Sequence, residues 1–563
     1  MARFVTRLLR GCPRLRMICT SRERLRVAGE HVSRLSGLVR ADAVLLFAER
    51  AAAARPGFRL TPEVAPAVAH VCRRLDGMPL AIELAAARMG AFGVAQVAER
   101  LADRFCLLEA GERGGEDRHR TLRAVIDWSY DLLTEAEQTI FDGLAVFVGG
   151  FTFEAAEAVC ALLASEVDMS QVLDRLVDKS FVQAEAPATA AAYRYRLLET
   201  LRDYGARELR RRGLVDALRA RHGAYFQTLA KQAADGLRGA DQPAWLERLA
   251  AEHDNLRAAL AWFLETGRAE EAGRLAGAIY PFWDLTGLYR EGRQWLERAL
   301  AAGELTAPVR TRVLMGVTTL AVLQGDAERA TEACAQAEAL SRAAGDAAGL
   351  SHALNYQGFI TQWAEDFDRS DRLLAEAEAV ATESGAAWEL GWALIFRSTL
   401  SLSREDWVTA IDCTHRSDAA LTPVGDLEAA GWNCLLRGGA YWVGGDHEQA
   451  GVALRSALVI FARLGAVLGL SQTFMLTGFL LTNRGRHLAA ARFLGAGAAL
   501  RDLAGTGQFP FLDRWVATAR AEVSAVLGDD RAREAWLSGA KSDWRPLVTE
   551  GLRLIAAQPV AGV

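Results

Sequence analysis

Lysine is nearly missing: Lys179, Lys231 and Lys541 are the only three in 563 residues. A phosphate cradle of the form Gly-Xaa4-Gly-Lys-Ser/Thr needs one. Its backbone N–H groups hold the phosphates, the lysine reaches the β and γ oxygens, and the hydroxyl holds magnesium. Lys541 stands in SGAKSD, which lacks the upstream glycine and follows no strand. No apolar strand ending in paired acids precedes Thr20 to hold a metal. With neither element, phosphoryl transfer by this chain alone is not expected. The eight cysteines are scattered, without a Cys-Xaa-Xaa-Cys pair or zinc-type histidine spacing, and are read as reduced, mostly buried thiols. The nine histidines form no i, i+4 pair beside an acid, and no Gly-Xaa-Ser-Xaa-Gly elbow occurs. No catalytic residue and no metal site are therefore assigned. No apolar run reaches the roughly 20 residues of a membrane span, and the start has no signal-peptide core, so a cytoplasmic protein is expected. A net charge of −5 gives no general attraction for nucleic acid or anionic lipid.

What is present is a chain that is 51% hydrophobic, enough for about three or four domains with proper cores. Near the start, LRMICT predicts a short buried parallel strand that empties into Thr20, Ser21, Arg22 and Glu23. Ligands collect at that edge of an open α/β sheet, so Arg22 stands where a guanidinium can pair with a phosphate; an ordinary exposed turn arginine is the other reading. Helical spacing covers residues 41–54, 62–75 and 80–89, with the turn Gly77-Met78-Pro79 before the third helix. Pro79 fits the first turn of that helix and offers a flat, dry face to a purine, although the same triplet also serves as a plain helix start.

Residues 121–133, 135–147, 153–163 and 171–178 predict four helices, with Thr134 as an N-cap, and residues 181–184 and 193–198 predict a two-stranded wing. A winged-helix unit invites a DNA hypothesis. Its reading helix, SQVLDRLVDKS, sets Asp174 and Asp178 against Arg175 and Lys179, so phosphates would meet as much repulsion as attraction. The basic run RDYGARELRRR that follows reads as a solvated helix end.

The second half repeats. Asp326, Asp366, Asp406 and Asp446 recur at one spacing, as do Gly345, Gly385, Gly425, Gly465 and Gly505, giving a period of about 40 residues. Four residues after each aspartate lies a small side chain (Ala330, Ser370, Ala410, Ala450), and Ala490 continues the series. One antiparallel helix pair per repeat is predicted: the aspartate caps the second helix, the small residue allows close crossing, and glycine ends it. Such pairs bury their apolar faces only by stacking. Tyr356, Trp363, Trp392, Trp432, Tyr441 and Trp442 either line a concave binding face or fill the core between repeats.

The runs ADAVLLFAERAAAARPGF, VCRRLDGMPLAIELAAARM, RHRTLRAVIDWSYDLL and FDGLAVFVGGFTFEAAEAVC, in that order, resemble bacterial STAND-class signal-transducing ATPases, related to NB-ARC switches. More narrowly, they resemble the AfsR-like and LuxR-like transcriptional regulators of actinobacteria, and the second half resembles tetratricopeptide repeats. The resemblance implies that Arg22 reads a terminal phosphate and Pro79 packs on adenine, with Thr20, Ser21, Gly77 and Leu80 as further nucleotide-binding residues. It also implies that Glu199 is a candidate for the diphosphate-sensing position where immune relatives carry histidine. The DNA-reading helix-turn-helix that such regulators carry at one end or the other is not expected within this sequence.

The expected fold is mainly α: a partial α/β nucleotide-switch remnant with a helical lid, a winged helix, then an α-solenoid of tetratricopeptide-like helix pairs. The expected divisions are residues 1–37 (α/β fragment), 38–115 (lid), 116–213 (winged helix), 214–310 (irregular helical repeats), 311–545 (solenoid) and 546–563 (helix and tail). The expected function is that of a truncated STAND-type transcriptional regulator. It would bind a protein or small effector on the solenoid, require no cofactor and hold ADP or ATP weakly at most. DNA would be reached only through a missing domain or partner chain, and self-association stays open. The rival readings are a transcription factor using its own winged helix and a non-hydrolysing ADP sensor.

Overall fold

The computed structural model describes residues 37–87, 93–100, 129–163, 168–185, 193–506 and 510–556, with a few isolated residues beside them. The strand LRMICT, the TSRE tetrad and most of residues 1–36 lie outside that description, as do residues 101–125. The chain divides into two compact units, residues 1–225 and 226–563. The described residues are mainly α-helical.

In the first unit, helices Arg40–Ala54, Ala65–Arg74 and Pro79–Ala87 bury Phe47, Val68, Val71 and Ile82. Thr134 starts the helix Glu135–Leu144 with a capping box: its hydroxyl accepts from the Glu137 N–H, and the Glu137 carboxylate accepts from the Thr134 N–H. Helices Phe153–Cys160 and Met169–Asp178 follow, capped by Thr152 and Asp168. The sheet has three strands rather than the two expected, in the order β1 (Phe151–Thr152), β3 (Arg194–Arg196), β2 (Gln183–Glu185), all antiparallel. Phe181 and Val182, predicted to open a strand, instead turn inward after the preceding helix and are buried.

The second unit carries the repeats as helix pairs from Ala307–Leu323 with Ala327–Ala344 to Val467–Asn483 with His487–Ala504. Asp326, Asp366, Asp406 and Asp446 each accept the N–H three residues on, capping the second helix of their pair. Gly345, Gly385, Gly465 and Gly505 end the second helices in the left-handed region, with φ of 65–69°. Ala330, Ser370, Ala410, Ala450 and Ala490 are all fully buried, because the first helix of each pair crosses there. Cys334 and Cys413 are free and buried within this stack. Among the described residues no helix is long and apolar enough to cross a membrane.

Candidate functional site: an inner chamber of the solenoid

Of the nucleotide-site candidates, Thr20, Ser21 and Arg22 lie outside the described residues, as does the side chain of Leu80. Gly77 has φ 64° in a turn with Asp76 at φ 54°, and a Cβ on Gly77 would stand 2.4 Å from the Leu38 carbonyl oxygen. The Gly77 carbonyl accepts from the Leu38 N–H at 2.8 Å, so the turn is tied to the chain ahead of it. Pro79 is exposed at the start of its helix. Asp76 Oδ2 accepts from the N–H (3.2 Å) and hydroxyl (3.4 Å) of Thr200, the residue after Glu199. Glu199 itself lies 3.9 Å from Arg74 and 3.8 Å from Arg202. The Gly-Met-Pro turn and Glu199 are therefore neighbours, through an aspartate that sequence reasoning had not singled out.

On the helix Met169–Asp178, Lys179 Nζ sits 2.8 Å from Glu137, whose side chain is 1% exposed, and Arg175 reaches the same carboxylate at 3.7 Å. Burial pushes the Glu137 carboxyl up, but the Lys179 ion pair and the hydrogen bonds from Thr134 outweigh it and hold the group below its usual range. Of the two cations on the reading segment, Lys179 is held by the buried Glu137, while Arg175 pairs with it from a half-exposed position.

The second unit holds an open chamber of about 550 Å³, within the range of about 300–1,000 Å³ usual for small-molecule sites. A recess of about 40 Å³ shares its Arg238, Tyr280 and His352 walls. First helices of successive repeats supply one side (His352, Asn355 and Tyr356, then Trp388 and Trp392), and the helix Ala269–Leu285 supplies Tyr280 and Asp284. Of the six aromatic candidates, Tyr356 and Trp392 line this recess. Trp363 packs on the buried Ala321, Val322 and Ala330, and Trp432 sits edge-on to Phe461 at 5.5 Å. Trp442 packs on Phe479 and Trp515, and Tyr441 is half-buried.

Beside the recess lies a clasp that reaches its wall residue Asp426. The turn after the helix Val215–Gly236 brings in Gln242, fully buried, whose Nε2 donates to Asp426 Oδ1 at 2.9 Å and to the Leu237 carbonyl at 2.7 Å. Its Oε1 accepts from the N–H groups of Leu427 and Glu428 at 2.9 and 3.0 Å. These N–H groups open the helix Leu427–Val443 and have no partner within it. Asp426 Oδ2 accepts from the indole N–H groups of Trp388 (2.7 Å) and Trp392 (3.4 Å). Replacing Gln242 by leucine leaves two helix N–H groups and a buried carboxylate short of partners. The expected cost to the second unit is about 2–4 kcal/mol, read by urea unfolding, whereas a loss below about 0.5 kcal/mol would mean the clasp carries no stability.

The recess is lined by carboxyls and the wider chamber by Lys231, Arg274 and Arg312. Burial raises the Asp284 carboxyl to about 7, and burial with the nearby charges of Asp284 and Asp426 raises Glu428 well above the carboxylate range. Burial, reinforced by the Arg238 charge, lowers His352 to about 3, so its ring is neutral. That ring stacks between Tyr356 and Trp388 at 5.3 and 5.5 Å. The Arg238 guanidinium lies 4.1 Å from the Trp388 ring centre and 3.7 Å from Glu389. Sequence reasoning missed Gln242, Asp284, Asp426 and Glu428. One signal was available: the residues that start the first helices run Asp346, Ala386, Asp426 and Ala466, a second series half a repeat out of step with the first.

No family model matches the chain. Over 373 residues it is 42% identical to a protein of Mycobacterium bovis (strain ATCC BAA-935 / AF2122/97) provisionally described as an HTH-type transcriptional regulator, covering 63% of this chain and 41% of that one. Over 228 residues it is 41% identical to an uncharacterised protein of the same organism, covering 39% of this chain and 56% of that one. The chain thus spans about two-fifths to three-fifths of the length of these relatives. Among solved structures, a STAND protein with a tetratricopeptide repeat sensor from Pyrococcus horikoshii aligns over 93% of this chain and 69% of its own, with 15% identity and a TM-score of 0.45. The description of the first relative agrees with the regulator resemblance read from the sequence.

Proposed function

We propose that the chain is the sensing part of a STAND-type transcriptional regulator, acting by binding rather than by catalysis. The observation that carries this reading is the chamber built into the repeat stack, walled by aromatics and lined with charged groups. In this reading residues 38–115 and 116–213 are the lid and winged helix of the switch, residues 1–37 the end of its α/β module, and residues 214–545 the sensor. An effector in the chamber, or a protein on the repeats, sets the state of the switch. The similarity to a provisionally described HTH-type regulator supports the regulatory assignment. A non-hydrolysing ADP site in the first unit is a second reading, favoured by the Asp76–Thr200 contact that joins the Gly-Met-Pro turn to the Glu199 segment. DNA binding by the winged helix is disfavoured by the pairing of Lys179 and Arg175 with Glu137.

The purified chain is expected to turn over no ATP with magnesium and to leave a DNA duplex unbound at low salt. Stoichiometric magnesium-dependent turnover would replace this reading with that of an ATPase. Salt-sensitive duplex binding that weakens in Arg175→Ala would replace it with that of a DNA-binding factor.

A further inference from the structure

We infer that the chamber takes a small zwitterion, with a primary ammonium group seated in the recess between Asp284 and Glu428 and an anionic tail in the wider space beside Lys231 and Arg312. The inference deepens the effector reading above and rests on it.

The recess is short of hydrogen-bond donors. Asn355, 2% exposed, uses its Nδ2 on the Glu389 carbonyl at 3.4 Å, which fixes the orientation of its amide, and its Oδ1 has no partner. His352, 8% exposed, has a neutral ring with no partner at Nε2. Among the described residues Asp284 makes no hydrogen bond or ion pair, and the Glu428 side chain accepts only from the indole N–H of Trp432, at 3.4 Å. Asn355 Oδ1 is a buried acceptor left without a donor, which is costly, and beside it stand the half-buried carboxyls of Asp284 and Glu428, to which an ammonium group brings three donors and, once they are ionised, a compensating charge. Asp426 is satisfied by Gln242, Trp388 and Trp392, so it adds negative potential without competing for the ligand. Arg238 is the one cation on the wall, and its charge is engaged by Glu389 and Trp388.

Size selects the head group. A volume of about 40 Å³ admits a group the size of one or a few waters, so an ammonium fits. The aromatic walls, Tyr280, Tyr356 and Trp392, suit the adjoining methylenes and the cation alike. Polarity selects the tail. Lys231 and Arg312 line the wider chamber and, among the described residues, form neither a salt bridge nor a hydrogen bond. Arg274, on the same wall, is occupied by Glu270.

The groups facing Asp284 also set a pH dependence. They are Tyr280 on its own helix, Tyr289, Tyr356, and the carboxyls of Glu428 and Asp426. The tyrosines stay neutral, raised further by burial, so Asp284, raised to about 7, is the group that changes charge near neutrality. An ammonium ligand needs that carboxyl ionised, and its affinity is expected to rise as pH increases through about 7.

The test is calorimetry on the full chain with 4-aminobutyrate and 6-aminohexanoate, set against butyrate and hexanoate. At least one amino acid is expected to bind roughly tenfold or more tightly than its amine-free counterpart, with affinity rising from about pH 6 to about pH 8. Glu428→Gln is expected to remove most of that preference, and Lys231→Ala to weaken the amino acid while leaving butylamine unaffected. Asp284→Asn provides a second reading of the recess should Glu428→Gln unfold. Absence of heat from both amino acids, equal binding by the amine-free acids, or affinity unchanged in both carboxylate variants would overturn the inference. Such a failure leaves the regulator reading intact, because that reading is tested by ATP turnover and duplex binding.

Discussion

Replacing Arg212 by alanine is expected to destabilise the first unit by about 3 kcal/mol at neutral pH, and by clearly less in mild acid. Asp142 is fully buried on the helix Glu135–Leu144 and accepts from Arg212 Nε and from the Tyr130 hydroxyl, both at 2.8 Å. Burial raises its carboxyl to about 6 despite those two bonds and the positive charge. The folded group therefore holds its proton more tightly than the unfolded chain does. Its contribution to stability is fully present below about pH 4 and is lost as pH rises through about 6. Without the guanidinium the buried carboxylate loses its counter-charge, the folded value climbs further, and the loss extends to higher pH. Urea unfolding at about pH 5 and pH 8 separates the cases. An equal deficit at both would show that Arg212 acts by packing and not through the ion pair.

Replacing Gly539 by alanine is expected to cost the second unit about 3 kcal/mol, far more than any of the helix-ending glycines. A Cβ at Gly539 would stand 1.9 Å from the Arg492 carbonyl oxygen, and one at Gly495 would stand 2.1 Å from the Trp536 carbonyl oxygen. The helices His487–Ala504 and Asp529–Ala540 thus cross backbone against backbone, and neither obstacle is a side chain that can swing aside. Gly385 is the internal control. Its Cβ would meet nothing within 4 Å, but its φ of 69° strains any other residue, so Gly385→Ala is expected to cost only about 1 kcal/mol. Comparable losses for the two variants in chemical denaturation would contradict the close crossing.

The repeats were legible because each carries its own local instructions. A capping aspartate, a small residue four positions on and a left-handed glycine are short-range requirements, so a 40-residue period in sequence becomes a period in structure. The chamber was not legible for the opposite reason. Gln242 and Asp426 meet across 184 positions, and nothing near Gln242 in sequence announces its partner. Tyr356 and Trp392, read as face or core, touch the recess, while Trp363 and Trp432 look the same in sequence and pack between helices. Helical spacing gives the side of the helix but not the curvature of the stack. In the first unit, β1 has only two residues and runs directly into a helix, too short for any alternation to show. The Gly77 turn was visible, but the contact from Asp76 to Thr200 depends on tertiary packing and was not.

The Gln242 clasp has a mechanical consequence. An open stack of repeats behaves as a one-dimensional array in which end units fray first and each interface melts almost independently. A tie from the entry of the stack to its fourth helix pair turns that array into a loop, so the units between can open only together. Unfolding of this segment becomes a concerted event instead of a progressive peeling, and strain introduced anywhere along residues 242–426 is carried back to the clasp.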